Sequence, residues 1–403
     1  MRTTRRFVMP VLIAAALSWS PLLIAQTPSV PPDPLKSLHF RHLGPVGNRA
    51  SAIVGEPGNP LVIYIGAASG GIFKTTNGGV KWAPVFDDQD VSSIGALAVA
   101  PSDHSVVWAG TGEPWLIRPN HAMGDGIYKS VNAGKTWKRM GLEATGHIAR
   151  VIVDPHDADV VYACAIGQAY RPQKERGVFK TTDGGKTWNA ALFVNENTGC
   201  SELSMDAHDP STLFAGMWQI DIKTWKNNDG GPGGGAYVTH DAGRTWEKLA
   251  GNGLPGKDET VGKTAVQVAP GNPERVYALI EQGTPVLYRS DDGGKAWKAV
   301  NRSRVMAERA PYYVRFAVAP DNDDLLHFMS VSYSVSRDGG ETLATPLPEP
   351  FGDCHDVWID PLDPKRVLVA SDGGGSISLD GAKTWFQAVL PIAQMYQDRK
   401  SVV

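Results

Sequence analysis

The stretch Thr181-Thr182-Asp183-Gly184-Gly185-Lys186-Thr187-Trp188 decides the fold, because its pattern recurs along the whole chain. Asp or Asn at the third position accepts hydrogen bonds from the nearby backbone and closes a turn. Gly at the fifth position supplies a positive φ, and Ser or Thr at the first adds a local hydrogen bond. The motif therefore predicts a hairpin turn with a structural Asp, rather than a catalytic or metal-binding one. Its Trp opens the next strand and should be largely buried.

Seven copies of this motif begin at Thr75, Ser130, Thr181, Thr239, Ser290, Ser336 and Ser378. Successive copies start 42 to 58 residues apart, with Leu343 replacing Trp in the sixth and Ala382 replacing Gly in the seventh. Upstream of the motifs, Pro-centred turns such as that at Pro155 separate two short apolar strands, and a third strand leads into the motif. Four antiparallel strands per repeat are typical of a propeller blade. We therefore predict an all-β, seven-bladed β-propeller.

The predicted propeller spans residues 38–390. Arg2, Arg5 and Arg6 precede an apolar stretch and the small residue Ala25, a pattern typical of an export signal over residues 1–25. A membrane anchor is the alternative. Residues 26–37 form a Pro-rich linker, and residues 391–403 resemble the start of a further element or a tail, which leaves open that the chain is part of a longer protein. We expect export to the periplasm, cell surface or medium, with no membrane span in the mature chain.

The charge balance and the cysteine content indicate which ligands and cross-links this chain should lack. The 39 basic and 42 acidic residues nearly balance, which argues against nucleic-acid binding. The three cysteines, Cys164, Cys200 and Cys354, are odd in number and include no C-x-x-C pair. We therefore predict no disulfide framework and no zinc site, and expect these cysteines to be small buried apolar residues. No cofactor and no metal are predicted.

The seven motifs and their flanks resemble the Asp-box, or BNR-repeat, propellers, which include sialidases, xyloglucanase-type glycoside hydrolases and sortilin/Vps10 ectodomains. The resemblance covers about residues 38–389 and implies the fold more than the function, because this repeat serves enzymes and binding proteins alike. In xyloglucanase-type enzymes, a catalytic Asp of the first blade precedes by two residues the Gly-Gly that opens the third strand. Ala68 takes that place here, whereas Asp372 has the same offset in blade 7.

Long loops between the second and third strands of blades 2, 3 and 4, at residues 110–126, 165–177 and 215–235, should build one wall of a site. Their aromatic residues are candidate ligand-binding platforms for sugar faces: Trp115, Tyr170, Trp218 and Trp225. The alternative is that they pin the long loops to the blade tops. Acidic residues expected on the same face are Glu113, Asp125, Asp221, Asp229, Asp353, Asp356 and Asp372.

Glycoside hydrolysis needs two carboxylates across a cleft, and the candidate catalytic residues are Glu113, Asp372 and His355. His355 stands between Asp353 and Asp356, so this segment could form an acid/base cluster, a metal site or a structural element. Adjacent residues on a strand point to opposite faces, so not all of these side chains can converge. The function predicted from the sequence is a ligand-binding or scaffold propeller that takes a peptide, protein or glycan; the alternative is a polysaccharide-cleaving glycoside hydrolase.

The innermost strands carry four charged residues whose positions predict specific ion pairs. When the innermost strands are aligned by the turn that follows each, Arg150, Glu202, Arg315 and Asp356 stand at the same level. Inner strands of neighbouring blades converge at the axis, so charges at one level need partners. We predict two ion pairs around the channel, Arg150 with Glu202 and Arg315 with Asp356. A distance of more than about 6 Å between the Arg315 guanidinium and the Asp356 carboxylate would contradict this register and return Asp356 to the candidate catalysts.

Overall fold

The structure, a computed structural model, describes residues 49–116, 121–223, 225–346 and 348–392. The predicted export signal and linker, and most of the predicted tail, lie outside these residues. In the described part, no helix is both long enough and apolar enough to cross a membrane. Helical structure there amounts to two short 3-10 turns, Glu143–Thr145 and Arg304–Ala307.

Seven antiparallel sheets make the seven predicted blades, and in each of them the strands follow one another in chain order from the inner to the outer edge. The innermost strands are β1 (Ala50–Glu56), β5 (Ile94–Val99), β9 (Ile148–Val153), β13 (Thr198–Met205), β19 (Thr264–Ala269), β23 (Arg315–Ala319) and β26 (Cys354–Ile359). The second strands are β2 (Asn59–Ala67), β6 (Val107–Thr111), β10 (Val161–Ala165), β14 (Leu213–Gln219), β20 (Asn272–Gln282), β24 (Asn322–Met329) and β27 (Val367–Ser371).

The third strands, which lead into the motifs, are β3 (Ile72–Thr75), β7 (Ile127–Ser130), β11 (Gly177–Thr181), β17 (Gly235–Thr239), β21 (Thr284–Ser290), β25 (Ser334–Ser336) and β28 (Gly374–Ser378). The outer strands are β4 (Ala83–Pro84), β8 (Lys138–Arg139), β12 (Asn189–Leu192), β18 (Glu247–Leu249), β22 (Lys298–Asn301) and β29 (Phe386–Ala388). In blade 6 the outer strand is reduced to one bridge, between Val335 and Ala344. An extra hairpin, β15 (Asp221–Lys223) with β16 (Lys226–Asn228), interrupts blade 4.

The inner strands contact one another around a ring that closes between β26 of blade 7 and β1 of blade 1. The hydrophobic core is divided accordingly, with one apolar cluster between each pair of neighbouring blades. Five inner strands carry a register shift near their first residues, in β1, β5, β9, β13 and β26. Such bulges bend a strand and re-aim the side chains beside them.

The Asp boxes are hairpin turns with a structural acidic residue, as predicted. In the third box, Asp183 Oδ1 accepts from the Thr187 amide at 2.9 Å, and Gly185 N donates to Thr181 Oγ1 at 2.9 Å. The corresponding Asp or Asn closes the turn in the other six boxes. Of the six box tryptophans, Trp297 is buried and five are half-buried, so the prediction of largely buried tryptophans is confirmed only for Trp297.

These hydrogen bonds predict a pH dependence of stability. Backbone and hydroxyl donors from Thr187 hold the pKa of Asp183 at about 2, below the ordinary value of 3.8. A group whose pKa is lowered by folding contributes stability above its unfolded pKa and loses it as pH falls through the folded one. Asp183→Asn should therefore lower the thermal unfolding midpoint at pH 6, and its difference from the parent should vanish towards pH 2. Asp258→Asn, at an exposed position outside the boxes, is the control and should show no such trend.

A disulfide joins Cys164 of β10 to Cys200 of β13, so the prediction of no disulfide framework was wrong for this pair. Both residues are fully buried and belong to neighbouring blades, 3 and 4, which sequence spacing alone did not bring together. Cys354 is free and buried, as expected. Disulfides persist mainly in oxidising compartments.

Removal of this disulfide should destabilise the propeller. Cross-links that close loops of this size restrict the unfolded chain and typically contribute about 2 to 4 kcal/mol. The double variant Cys164→Ser, Cys200→Ser should therefore unfold at a lower urea concentration than the parent, by circular dichroism. A reductant should lower the midpoint of the parent but leave the double variant unchanged. Equal midpoints for the oxidised parent and the variant would contradict the expectation.

Candidate functional site

The predicted ion pairs lie at the centre of the ring. Arg150 Nε is 2.6 Å from Glu202 Oε1, and Arg315 Nη1 is 3.2 Å from Asp356 Oδ1, so both pairs are confirmed. Each arginine also reaches the other acid, because Arg150 Nη1 is 3.1 Å from Asp356 and Arg315 Nε is 3.1 Å from Glu202. The four residues form one network, called here the axial network. Asp356 is held by two guanidinium groups, which favours a structural role over that of a general acid.

Burial alone would raise the pKa of Glu202, but the charges of Arg150 and Arg315 outweigh burial and leave its pKa below the ordinary value. Glu202 is thus ionised at neutral pH. The network carries two positive and two negative charges, which makes its burial tolerable.

Trp115 covers the axial network on the face that carries the long loops, called here the loop face. It comes from the 110–126 loop of blade 2 but packs against Tyr312 and Tyr313 before β23 of blade 6, with ring centroids 5.7 and 6.4 Å away. Its ring also lies 5.0 Å from the Arg315 guanidinium. Trp115 is 1% exposed, so the geometry supports the alternative role, in which the side chain pins its loop across the channel.

The three predicted catalytic residues lie around one arginine that the sequence analysis did not single out. Arg49 Nη2 is 2.5 Å from Glu113 Oε1, and its Nε is 3.4 Å from Asp372 Oδ1. Asp372 Oδ1 is in turn 3.5 Å from His355 Nε2, and His355 Nδ1 contacts the Ala50 carbonyl oxygen at 2.8 Å. Glu113 is 3% exposed and His355 is fully buried, so only Asp372, with its side chain 30% exposed, reaches solvent.

The side chains of the Asp353–Asp356 segment point in different directions, as expected for adjacent residues on a strand. Asp353 pairs with Arg309 at 2.5 Å, away from the axial network that holds Asp356. His355 lies at the register shift of β26, which turns it towards Asp372. Outside this segment, Asp125 pairs with Arg139 at 3.0 Å.

The other predicted aromatic residues differ in exposure. Trp218 is fully buried, and its indole N–H donates to the Asp229 carbonyl oxygen at 3.3 Å. Tyr170 is 37% exposed and stacks on His121 with ring centroids 5.3 Å apart. Trp225 is 83% exposed at the tip of the β15–β16 hairpin. Of these aromatic residues, Trp225 has the ring most accessible to a ligand, whereas the buried rings of Trp115 and Trp218 are not accessible.

A groove of about 670 Å³ lies between blades 4 and 5, called here the blade 4–5 groove. Its walls come from the β15–β16 hairpin, the β20–β21 turn and the connection between the two blades. Amide and carboxylate side chains dominate the lining, and glycines leave the space open. The lining residues are Asn197, Gln219, Asp221, Asn227, Asn228, Asp229, Gly230, Thr260, Gly262, Glu281, Gln282 and Gly283.

Two ionisable groups with displaced pKa values adjoin this groove. Burial and the negative charge of Asp229 raise the pKa of Glu281 to about 7. A hydrogen bond from the Lys263 backbone N–H and the positive charge of the Lys263 side chain act in the opposite direction. Burial beside Arg315 lowers the pKa of Lys263 to about 7, although Glu202 and Glu281 oppose the fall. The ammonium group of Lys263 lies 4.5 Å from the Trp115 ring centroid and 5.3 Å from that of Trp218. Lys263 therefore connects the groove to the covered channel.

Sequence reasoning placed Asp221 and Asp229 on this face but missed Arg49, Lys263 and Glu281. A signal existed for Glu281, because it is a carboxylate that directly follows the apolar run Val276–Ile280 at the loop-face end of a second strand. Lys263 gives a similar signal, because it is a charged residue that directly precedes the largely apolar inner strand β19. Charged residues at the ends of buried strands are candidates for function because their desolvation has to be compensated.

Comparisons with known proteins agree with this architecture. Residues 125–254 match the family model described as "Sortilin, neurotensin receptor 3". The oligoxyloglucan-reducing end-specific xyloglucanase of Emericella nidulans is 25% identical over 275 residues, which cover 54% of this chain. The chain thus spans about a third, 32%, of that relative's length.

Solved structures show the same fold. YCF48 bound to D1 peptide superposes with a TM-score of 0.53 at 12% identity, covering 84% of this chain and 96% of that one. An ancestral GH74 enzyme gives a TM-score of 0.53 at 18% identity, covering 85% of this chain and 49% of that one. Together with the seven blades and their Asp boxes, these similarities show a β-propeller that resembles the sortilin- and xyloglucanase-type propellers.

Proposed function

We propose that this chain is an exported propeller that binds a neutral oligosaccharide in the blade 4–5 groove. One observation carries the proposal: a polar groove of about 670 Å³ lies at the base of the hairpin whose tip presents Trp225 to solvent. Amides and carboxylates in the groove can bond sugar hydroxyls, while an open indole face can stack on the apolar side of a sugar ring. The buried disulfide supports export.

The similarity to a xyloglucanase suggests the first ligands to test, namely xyloglucan oligosaccharides. Binding should be measured by isothermal titration calorimetry. Trp225→Ala should weaken it about fivefold, because losing an aromatic stacking partner costs about 1 kcal/mol. Phe386→Ala, which removes an exposed aromatic ring on blade 7, is the matched control and should bind as the parent does. Equal affinity for the parent and Trp225→Ala would contradict the proposal.

Glycoside hydrolysis is the second candidate function, and Glu281 is the observation that favours it. A carboxyl group with a pKa of about 7 is protonated in about half of the molecules at pH 7 and can then donate its proton to a leaving glycosidic oxygen. Asp229 lines the same groove and would accept a proton from the attacking water. Glu113 and Asp372 suit this chemistry less well, because Arg49 contacts both of them.

Release of reducing ends from xyloglucan tests hydrolysis separately from binding. Glu281→Gln should lower the rate at least about 100-fold, the usual contribution of a general acid, while calorimetric affinity stays within a few-fold. The parent's rate should fall as pH rises through about 7, because Glu281 then loses its proton. Binding without reducing-end release would leave the binding function and reject the enzymatic one. Glu259→Gln, an exposed acid outside the groove lining, is the control.

A further inference from the structure

A glycine-rich segment borders the blade 4–5 groove. Five of the six residues at positions 230–235 are glycines, and the segment leads from the β15–β16 hairpin into β17. Glycine is costly in an ordered segment, because it loses more backbone freedom on folding than any other residue. Neither Gly231 nor Gly233 has a positive φ, so backbone conformation does not explain these two glycines. A neighbouring group that occupies the space of a Cβ explains them instead.

That group is the side-chain amide of Gln219, at the end of β14. A Cβ added to Gly231 would overlap Gln219 Cδ and lie 2.6 Å from its Nε2. A Cβ added to Gly233 would overlap Thr198 Oγ1 and lie 3.0 Å from Gln219 Oε1. Gly231 is itself held in place, because its N–H donates to the Val261 carbonyl oxygen at 3.0 Å. The two glycines therefore make room for one amide group against the main chain.

The main chain also fixes the orientation of this amide. Gly233 N donates to Gln219 Oε1 at 2.9 Å. Because a backbone N–H can only donate, the amide atom that it contacts is the oxygen, and the other branch is the nitrogen. Gln219 lines the groove, and its Nε2 donates no hydrogen bond within the described part of the chain. The groove therefore contains a hydrogen-bond donor whose position is set before a ligand arrives.

A carboxylate lies in the same groove lining as this donor. Asp221 is compensated by Lys223 at 2.8 Å, whereas no cation pairs with Asp229 in the part of the chain that the structure describes. A sugar hydroxyl can accept from Gln219 Nε2 and donate its own proton to a carboxylate. An ammonium group can only donate, and an anionic sugar can only accept and is repelled by Asp229. The arrangement therefore suits uncharged hydroxyl groups.

We infer that Gln219 is the specificity-determining residue of the blade 4–5 groove and that it selects an uncharged sugar by donating to a hydroxyl oxygen. The inference rests on the proposed glycan-binding function and adds the group that recognises the sugar. A side chain ordered by the fold has lost its rotational freedom before binding, so its hydrogen bond to a ligand costs little further entropy. A ligand that leaves this donor unpaired is rejected, because the donor is desolvated without compensation.

Calorimetry with xyloglucan oligosaccharides tests the donor. Gln219→Glu keeps an oxygen for the Gly233 N–H but replaces the donor with a second acceptor, and should weaken binding about tenfold. Gln219→Ala, which removes the whole amide, should weaken binding to a similar extent. Gln89→Glu adds the same charge on blade 1, outside the groove lining, and should bind as the parent does. Oligomers of galacturonic acid of equal length should bind the parent more weakly than the neutral oligosaccharides.

A double-mutant cycle shows whether Gly231 acts through Gln219. Gly231 is not among the lining residues, so Gly231→Ala should weaken binding only by displacing the Gln219 amide. The substitution should therefore weaken binding by the parent about tenfold and have no further effect in Gln219→Ala. Hydrogen exchange of the free protein gives a readout without ligand. The Gly233 amide should stay protected in Gln219→Glu and exchange faster in Gln219→Ala, because only the first variant keeps an acceptor.

The possible failures are distinguishable. Parental affinity in Gln219→Glu would overturn the inference and leave the glycan-binding function in place. An equal effect of Gly231→Ala in the parent and in Gln219→Ala would also overturn it, because the glycine would then act independently of the amide. A parent that binds no oligosaccharide would reject the proposed function itself, and this inference with it. Circular dichroism of each variant confirms that the fold is retained.

Discussion

Glu202→Gln is expected to lower the free energy of unfolding by about 3 to 5 kcal/mol, the usual cost of removing one partner from a buried charge pair. The side chain of Glu202 is fully buried and contacts both Arg150 and Arg315. Without its charge, two guanidinium groups would share Asp356 alone. Because these residues come from blades 3, 4, 6 and 7, the loss would weaken contacts across the whole ring rather than within one blade. Urea denaturation followed by circular dichroism measures the effect.

Two comparisons separate this effect from an ordinary loss of contacts. Asp125→Asn breaks a surface pair with Arg139, whose side chain is 47% exposed, and should cost less than about 1 kcal/mol. Glu202→Gln combined with Arg315→Met removes one charge of each sign. That double variant should be less destabilised than the sum of its single variants, because the remaining pair, Arg150 with Asp356, stays balanced. Additive costs would argue against a coupled network.

The blades could be predicted from the sequence because their signals are local. Each Asp box closes its turn with hydrogen bonds between residues no more than four positions apart, as between Asp183 and Thr187, so the sequence contains all the partners. The axial network could also be predicted, although it links distant residues. Its register depends only on the distance of Arg150, Glu202, Arg315 and Asp356 from the turns that follow them.

Contacts that depend on the path of a long loop could not be predicted. Nothing in the 110–126 loop indicates that Trp115 crosses the channel to reach Tyr312 on blade 6. The Cys164–Cys200 disulfide could not be predicted from three cysteines, because its partners are 36 residues apart and only the packing of a second strand against the inner strand of the next blade brings them together. Glu281 was missed because its raised pKa comes from burial and from Asp229, both of which are properties of the folded groove.

Arg366→Met is expected to weaken ring closure, with a loss of about 3 to 5 kcal/mol in the free energy of unfolding. Arg366, just before β27, donates to the carbonyl oxygens of Glu56 and Val62 in blade 1, each at 2.9 Å. It also pairs with Asp360 at 3.1 Å, and both side chains are 1% exposed. Asp360 in turn accepts from the Gly58 amide at 3.0 Å. The substitution would therefore leave a buried carboxylate and two backbone carbonyl groups without their cation.

Arg366 matters because each described blade takes all its strands from one stretch of the chain, so no strand exchange ties blade 7 to blade 1. Closure instead involves the apolar cluster between these blades and several polar contacts, among them the His355 contact with the Ala50 carbonyl oxygen and the contacts of Arg366. The apolar cluster and the Arg366 contacts are the two contributions to be compared. Hydrogen exchange distinguishes the two contributions. If Arg366 is essential to closure, amides of β1, β2 and β27 should exchange faster in Arg366→Met, whereas those of β13 and β14 in blade 4 should change little. If apolar packing alone closes the ring, the variant should lose less than about 1 kcal/mol and exchange should remain uniform. The double variant Arg366→Met, Asp360→Leu should recover part of the loss, because it no longer buries an uncompensated charge.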